Sequence, residues 1–288
     1  MKKAIDFIME KLVFICGIAA IILVALIFSF LFKESVSFFR EYNPVKFISG
    51  IFWYPTSDPQ QFGILSLIMG SLFVTLGAAV FAVPVGVMAA FYISEVAPPA
   101  IKEFLKSAIE LLAAIPSVVI GFIGMVTLVP LVRVMFDLPT GLTAFSGSIM
   151  LGFMAMPTIV SISEDAIRSV PWNYKEGAMA LGATKWQTMY RVVFPAALPG
   201  IVAAVMLGIG RVVGETMAVM MITGNAAAIP HSIFDPVRTM TATIAAEMGE
   251  TVRNSFHYQS LFAIGLALFV ITFIINFLAD MFLNRGRR

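Results

Sequence analysis

The chain holds a single cysteine, Cys16, and two histidines, His231 and His257, in 288 residues. A disulfide within the chain is thereby excluded, and a thiolate metal site lacks the ligands it would need. The two histidines stand far apart, with no acidic or cysteine partner at ligand spacing, which points to surface or packing roles and to no metal. Charge is scarce as well. Only 12% of residues are Asp, Glu, Lys or Arg, about half the share of a soluble globular chain. The net charge of +2 is scattered over loops and forms no stripe, so no nucleic-acid partner is expected. No G-x-x-x-x-G-K-[ST] run occurs, and any nucleotide must be bound by a separate subunit. A Ser/His/Asp grouping is also missing. The one close carboxylate pair a membrane enzyme could use is Glu164-Asp165. No internal repeat is visible, which weighs against the duplicated folds of secondary transporters.

What the chain has in excess is apolar surface: 59% hydrophobic residues and a mean hydropathy of +0.94. Charge-free runs cover 12–32, 59–94, 111–132, 138–163, 192–210 with its continuation past Glu215, and 254–279. Each supplies the ~20 apolar residues that cross a bilayer, so six spanning helices are expected. The runs do not alternate apolar and polar residues, as barrel strands would. Met1-Lys2-Lys3 resembles the start of a signal peptide. The run behind it exceeds the ~7–15 residues of a cleaved segment, and Ile15 before Cys16 does not suit a lipoprotein anchor. It is read as a retained first helix.

Basic residues set the orientation. With the N-terminus in the cytoplasm, the inner segments hold Lys2, Lys3, Lys11, Lys102, Lys106, Arg168, Lys175, Lys185, Arg191, Arg285, Arg287 and Arg288. The outer ones hold Lys33, Arg40, Lys46, Arg133, Arg238 and Arg253. The excess inside places both termini in the cytoplasm. Arg211 belongs to neither group.

The outer segment 33–62 carries Asn43-Pro44, Trp53-Tyr54-Pro55 and Asp58-Pro59, turn signals with interfacial aromatics. Helix two ends near Ser94-Glu95, and Pro98-Pro99 breaks the chain. Ile101, Phe104, Leu105, Ala108, Ile109 and Leu112 then form an apolar stripe with Lys102, Glu103 and Lys106 off it, an amphipathic helix lying on the cytoplasmic interface. Pro116 is expected to kink the helix that follows. Helix four starts near Ser146, carries Pro157 and ends in charge at 164–168. Asp235 and Pro236 suit the cap and first turn of an external helix running to about Glu250. That helix is either a lid and docking face or a plain interfacial element. Helix six, near 258–283, closes in the basic tail 284–288.

The most informative stretch is 171–225. It starts as a polar block, passes through two prolines and becomes a membrane run that still contains Arg211 and Glu215. Ala178, Leu181, Ala183 and Trp186 suit two short helices on the cytoplasmic face, with Gly182 permitting a reversal. Together they present Glu176 to a partner groove. Sixteen residues separate Pro195 from Arg211, about 24 Å of helix, which reaches the middle of the bilayer or beyond. A charge there costs at least ~2.5 kcal/mol unless it faces a cavity or partner. Glu215 follows at i+4 and offers pairing. Gly210 and Gly214 make a small-xxx-small face for helix packing. A guanidinium fork suits a tetrahedral oxyanion. A neighbouring carboxylate favours an anion that still carries a proton, phosphate over sulfate.

The spacing Glu176-Gly177-Ala178, Gly182, Val192, Phe194-Pro195 resembles the Glu-Ala-Ala, Gly, Ile-x-Leu-Pro pattern of the membrane subunits of ABC importers. Gly177, Val192 and Phe194 stand for Ala, Ile and Leu. The resemblance implies that Glu176, Gly177, Ala178, Gly182 and Pro195 form the loop that couples to an ATP-binding subunit. Gly210-Arg211-Val212-Val213-Gly214-Glu215-Thr216-Met217-Ala218-Val219 with Gly224-Asn225, 157–166 and 180–184 are similar to the PstC-type permease subunits of phosphate ABC importers, within the binding-protein-dependent inner-membrane components. That implies an all-α, six-helix, type I importer permease with a five-helix core. Residues 1–63 would be an N-terminal helix with its external loop, and 64–288 the permease core with coupling loop 171–195. It implies Arg211, Glu215 and Thr216 on the phosphate path, a pair of ATP-binding subunits, a PstA-type second permease and an extracytoplasmic phosphate-binding protein. No cofactor and no catalytic activity of its own is expected. The PstA-type sister and a sulfate or molybdate permease are the alternatives, followed by a secondary transporter.

Overall fold

The computed structural model describes residues 2–285. The fold is helical apart from one two-stranded hairpin, β1 (Trp53–Tyr54) paired antiparallel with β2 (Gln61–Phe62). Among the described residues, six helices are long and apolar enough to cross a membrane: Met9–Glu41, Leu65–Val96, Ser117–Met135, Ala144–Arg168, Lys185–Val213 and Phe256–Phe277. The six expected spans are therefore present. The tail at 286–288 lies outside the described residues, and so do the side chains of Lys2, Lys3 and Arg285.

Helix α1 (Lys2–Glu41) continues past the expected exit at residue 32. Its last two turns leave the lipid-facing pattern and enter a folded cap at that end of the bundle. Phe38 is fully buried there among Phe47 of α2 (Pro44–Ser49), Phe62 and Phe256, with ring centroids 4.7–5.5 Å apart. Such aromatic pairs contribute about 0.5–1.5 kcal/mol beyond the area they bury. Lower down, Phe28 lies tilted against Phe269 and Phe30 meets Phe262 edge to face, both on the last helix.

The centre of the bundle is α7 (Ala144–Arg168), capped at Thr143, which accepts the Ser146 N–H. It lies between α3 (Leu65–Phe91) and α10 (Phe194–Val213). Between helices surrounded by lipid, close approach is set by small residues and van der Waals contact. Ile159 of α7 shows how. A Cβ on Gly86 of α3 would come within 2.9 Å of it, and one on Gly208 of α10 within 2.5 Å. One branched side chain thus fills two glycine notches from opposite sides.

Helix α3 runs on through a π-helical turn, Tyr92–Val96, before Pro98 ends it. The amphipathic segment forms α4 (Pro99–Ala114), but the expectation for the proline after it fails. Pro116 does not kink a continuous helix. The chain breaks at Ile115, and Pro116 instead precedes α5 (Ser117–Ile123). Off the apolar stripe, Lys102 and Lys106 turn inward with Leu105 and Ile109, while Phe104 and Leu111 stay exposed. After a π-helical turn, Gly124–Leu128, the third span ends in α6 (Val129–Met135).

Candidate functional site: a coupling loop and a broken membrane helix

Residues 171–193 fold as the two short helices expected, α8 (Trp172–Ala180) and α9 (Lys185–Thr188), and α8 buries no residue. The turn between them explains Gly182. Its φ is +83°, a region that costs other L-residues about 1–2 kcal/mol. The Gly182 N–H donates to Met179 O at 2.9 Å, and the Ala183 N–H donates to Ala178 O at 3.1 Å. These are the two bonds of a Schellman stop. Thr184 and Gln187 then exchange side-chain-to-backbone bonds as a capping box that starts α9. The reversal is thus set by sequence over six residues.

One ion pair ties the loop to the bundle. Lys175 pairs with Glu95 of the π-helical turn after α3, at 2.5 Å, and its ammonium lies over the Trp172 ring. Glu176 accepts from Trp172 Nε1 at 2.6 Å. Thr188 and Val193 are buried where the chain returns to the bundle, and three large side chains project. Leu181 is 91% exposed, Tyr190 74% and Trp186 71%, an apolar surface of the kind that marks an interaction site.

Replacing Gly182 with alanine is expected to destabilise the loop by about 1–2 kcal/mol. At Gly177, with open space at its Cβ position, alanine should stabilise α8 by about 0.5–1 kcal/mol. Hydrogen exchange of the 172–188 amides reads both, with opposite signs.

The second part of the site begins where the loop ends. From Lys185 to Val213 the chain is one helical span, containing a π-helical turn, Met189–Val193, Pro195 in the first turn of α10, and Pro199. Proline and π-helical turns are the usual causes of bends in long helices. Arg211 lies in the last turn of α10 and is exposed.

The Arg211–Glu215 pairing offered by the i+4 spacing is not formed. Helix α10 stops at Val213, so the register that would have joined the two residues is lost. Glu215 belongs instead to the next element. Its Oε1 accepts the Ala218 N–H of α11 (Met217–Ile222) at 3.3 Å, and its backbone oxygen accepts from Thr241 Oγ1 at 2.8 Å. Thr216 Oγ1 donates to Gly214 O at 3.2 Å. Among the described residues Arg211 has no ion-pair partner. The glycine expectation also changes. A Cβ on Gly210 would meet nothing, and one on Gly214 only the α10 backbone, so this face packs on no other element of the chain. Gly208 is the packing glycine. Gly224 (φ +82°) and Asn225 (φ +52°) close the turn after α11, where Asn225 Nδ2 donates to Met220 O at 2.6 Å.

Two polar clusters escaped the sequence reading. At the C-terminal end of α7, Glu164 is 2% exposed, with Lys102 Nζ 3.2 Å from Oε1 and Lys106 Nζ 3.0 Å from Oε2. Only the Lys106 contact has hydrogen-bond geometry; the Lys102 contact is an ion pair by distance. Both Glu164 oxygens face lysines, and Lys106 also lies 3.8 Å from Oδ1 of Asp165, which is 66% exposed, so the two neighbouring carboxylates share one lysine. On the opposite end, Glu247 of α12 (Met240–Glu247) accepts from Trp53 Nε1 at 3.0 Å and Arg238 at 2.8 Å, with His257 Nε2 at 2.8 Å. That helix starts at Met240 behind a Thr239 cap, not at Asp235. Asp235 Oδ2 accepts instead from the His231 and Ser232 N–H groups. The remaining span, α13 (Phe256–Arg285), follows. The only textual hint of either cluster was an acidic residue at the end of an apolar run.

Residues 82–288 match the family described as the binding-protein-dependent transport system inner membrane component. The chain is 42% identical over 232 residues to the probable ABC transporter permease protein YqgH of Bacillus subtilis, covering 81% of this chain and 75% of that protein. It is 37% identical to the phosphate transport system permease protein PstC of Mesorhizobium japonicum, over 83% and 78% of the two chains. Among solved structures, a chain of a bacterial alginate ABC transporter in complex with its alginate pentasaccharide-bound periplasmic protein superposes with a TM-score of 0.64 at 15% identity, covering 97% of this chain and 96% of that one. A chain of the inward-facing MetNI methionine ABC transporter gives 0.60 at 18% identity, over 78% and 98%.

Proposed function

This chain belongs to the binding-protein-dependent transport system inner membrane components, and from that premise we propose that it is the PstC-type permease subunit of an ATP-driven phosphate importer. The observation that carries the reading is one helical span with a partner-seeking loop at its start and an unpaired arginine at its far end. ATP-binding subunits seat on the exposed surface of α8 and the turn after it, which Glu176, Gly177, Ala178 and Gly182 shape. Their movement passes through the π-helical turn and Pro195 into α10. Arg211, Glu215 and Thr216 meet the anion where α10 breaks. A PstA-type second permease completes the path across the exposed Gly210–Gly214 face. An extracytoplasmic phosphate-binding protein delivers cargo to the cap built from the end of α1, the hairpin and α12. Both termini lie in the cytoplasm. Residues 64–288 form the permease core and 1–63 the added helix and external segment. The 37% identity to a phosphate permease and the Arg211–Glu215 arrangement both support phosphate as cargo.

The importer reading is tested by affinity purification and uptake. An ATP-binding subunit should co-purify, and phosphate uptake should stop on ATP depletion; uptake that persists without ATP overturns it. Cargo choice is tested at Glu215. A carboxylate accepts a hydrogen bond from protonated phosphate and repels fully ionised sulfate. Glu215→Gln should therefore lower the phosphate-to-sulfate preference in vesicle uptake by about tenfold, the scale of one hydrogen bond to a charged group. An unchanged preference removes Glu215 from the selectivity argument.

A further inference from the structure

Two hollows meet at the base of the coupling loop. The first is a cleft of about 690 Å³ between the ends of α3 and α7 and the helices α8 and α9. Its cations are Lys102, Arg168, Lys175 and Lys185, against the single carboxylate of Glu95. Lys175 is taken up by Glu95 and Lys102 by Glu164. Among the described residues Arg168 and Lys185 have no ion-pair partner, and both are exposed. The second hollow is an apolar groove of about 460 Å³ between the end of α3 and the run from α9 into α10. Phe91 and Phe194 form part of it with ring centroids 5.5 Å apart, and Tyr92, Trp186 and Tyr190 stand exposed around it. Met189 lines both hollows.

We propose that the pair forms a binding site for one anionic phospholipid of the cytoplasmic leaflet, with the headgroup phosphate between Arg168 and Lys185 and an acyl chain along the groove. Charge complementarity and continuity select this occupant. A free oxyanion would use the cleft and leave the groove empty, and a neutral lipid would use the groove and leave two cations bare. Tyr and Trp at the rim suit the headgroup level, and basic pockets between helix ends on the cytoplasmic side hold anionic headgroups. The lipid would lie against the π-helical turn Met189–Val193, so its presence would stiffen the joint between the coupling loop and α10. The placement rests on the orientation proposed above. The binding itself is measured independently of transport.

The test is native mass spectrometry of the full chain, alone and in its importer complex, titrated with phosphatidylglycerol or phosphatidylcholine. Phosphatidylglycerol should be retained as one tight copy. Each basic residue near an anionic lipid surface is worth about fivefold in affinity, so Arg168→Gln with Lys185→Gln should weaken retention about thirtyfold. Trp186→Ala with Tyr190→Ala should weaken it as well, and Lys46→Gln at the other end of the molecule should not. All substituted residues are exposed, and unchanged thermal melting verifies that the variants fold. Equal retention of phosphatidylcholine overturns the proposal, as does an equal loss with Lys46→Gln. Displacement by millimolar inorganic phosphate, with no effect of the aromatic pair, assigns the cleft to a free oxyanion and overturns it too. Loss of the lipid when a second permease subunit assembles makes the groove a subunit seam, with the same consequence.

Discussion

Replacing Arg211 with glutamine is expected to reduce phosphate uptake by about ten- to hundredfold while leaving the melting temperature unchanged. The two halves of that result have separate causes. Arg211 is exposed, and among the described residues it has no salt-bridge partner. Its removal therefore breaks no contact that holds the fold, and exposed substitutions of this kind stay within about 0.5 kcal/mol. Yet the residue carries a charge about 24 Å along a membrane helix, and that placement needs an anionic counterpart. A hydrogen-bonded contact between a guanidinium and an oxyanion is worth about 1.5–3 kcal/mol, which sets the size of the loss. Lysine at 211 keeps the charge but not the planar fork, so Arg211→Lys should fall between glutamine and wild type. The measurement is initial uptake into vesicles beside thermal unfolding of the same preparation. Full uptake by Arg211→Gln would remove this residue from the path. Loss of uptake together with a lowered melting temperature would make it structural.

The break in α10 gives that arginine its meaning. On a continuous helix, Glu215 would lie one turn above Arg211 and neutralise it. The helix instead ends at Val213, and Glu215 is held by Ala218 of α11 and Thr241 of α12. Arginine and glutamate thus belong to different elements. On the proposed reading, a movement delivered through α10 would change the distance between them, which a pair on one rigid helix would not allow.

The spans, the two short helices of 172–188 and the place of Arg211 within a span were legible because each depends on local sequence. Twenty apolar residues make a span wherever they occur. Gly182, Thr184 and Gln187 define a stop and a start within six residues. The end of α10 was not legible: no proline marks it, and Glu215 leaves the helix for the Ala218 N–H and the Thr241 hydroxyl, the latter 26 residues away. The surroundings of the α4 lysines were not legible for a different reason. The stripe of Ile101, Phe104 and Leu105 suits a membrane interface, but nothing near it names what Lys102 and Lys106 meet. Phe104 points outward at 72% exposure, and the lysines turn toward the buried Glu164 on a helix 58 residues away. No window of sequence contains both partners of that contact.

That clamp yields the largest stability effect expected in the chain. Replacing Lys102 and Lys106 together with methionine leaves the Glu164 carboxylate, 2% exposed, without a cation. Breaking a buried pair from one side costs about 3–5 kcal/mol. The lysine side chains are 25% and 38% exposed, so water screens part of the interaction and about 2–3 kcal/mol is the expected loss. Glu164→Gln should cost less, about 1 kcal/mol, because a neutral amide still accepts from Lys106. Adding Glu164→Met to the double variant should restore most of the lost stability, since no buried charge remains. The order of melting temperatures therefore runs from wild type through the triple variant and Glu164→Gln down to the double. A double variant as stable as wild type would show that the pair holds nothing. Alkaline pH checks the same contact. The hydrogen bond to Glu164 raises the Lys106 pKa above its ordinary 10.5. A raised lysine contributes in full below the unfolded value and loses its contribution as pH climbs through the folded one. Wild-type stability should be flat across neutral pH on this account and decline above about 10.5, and Lys106→Met should lack that part of the decline.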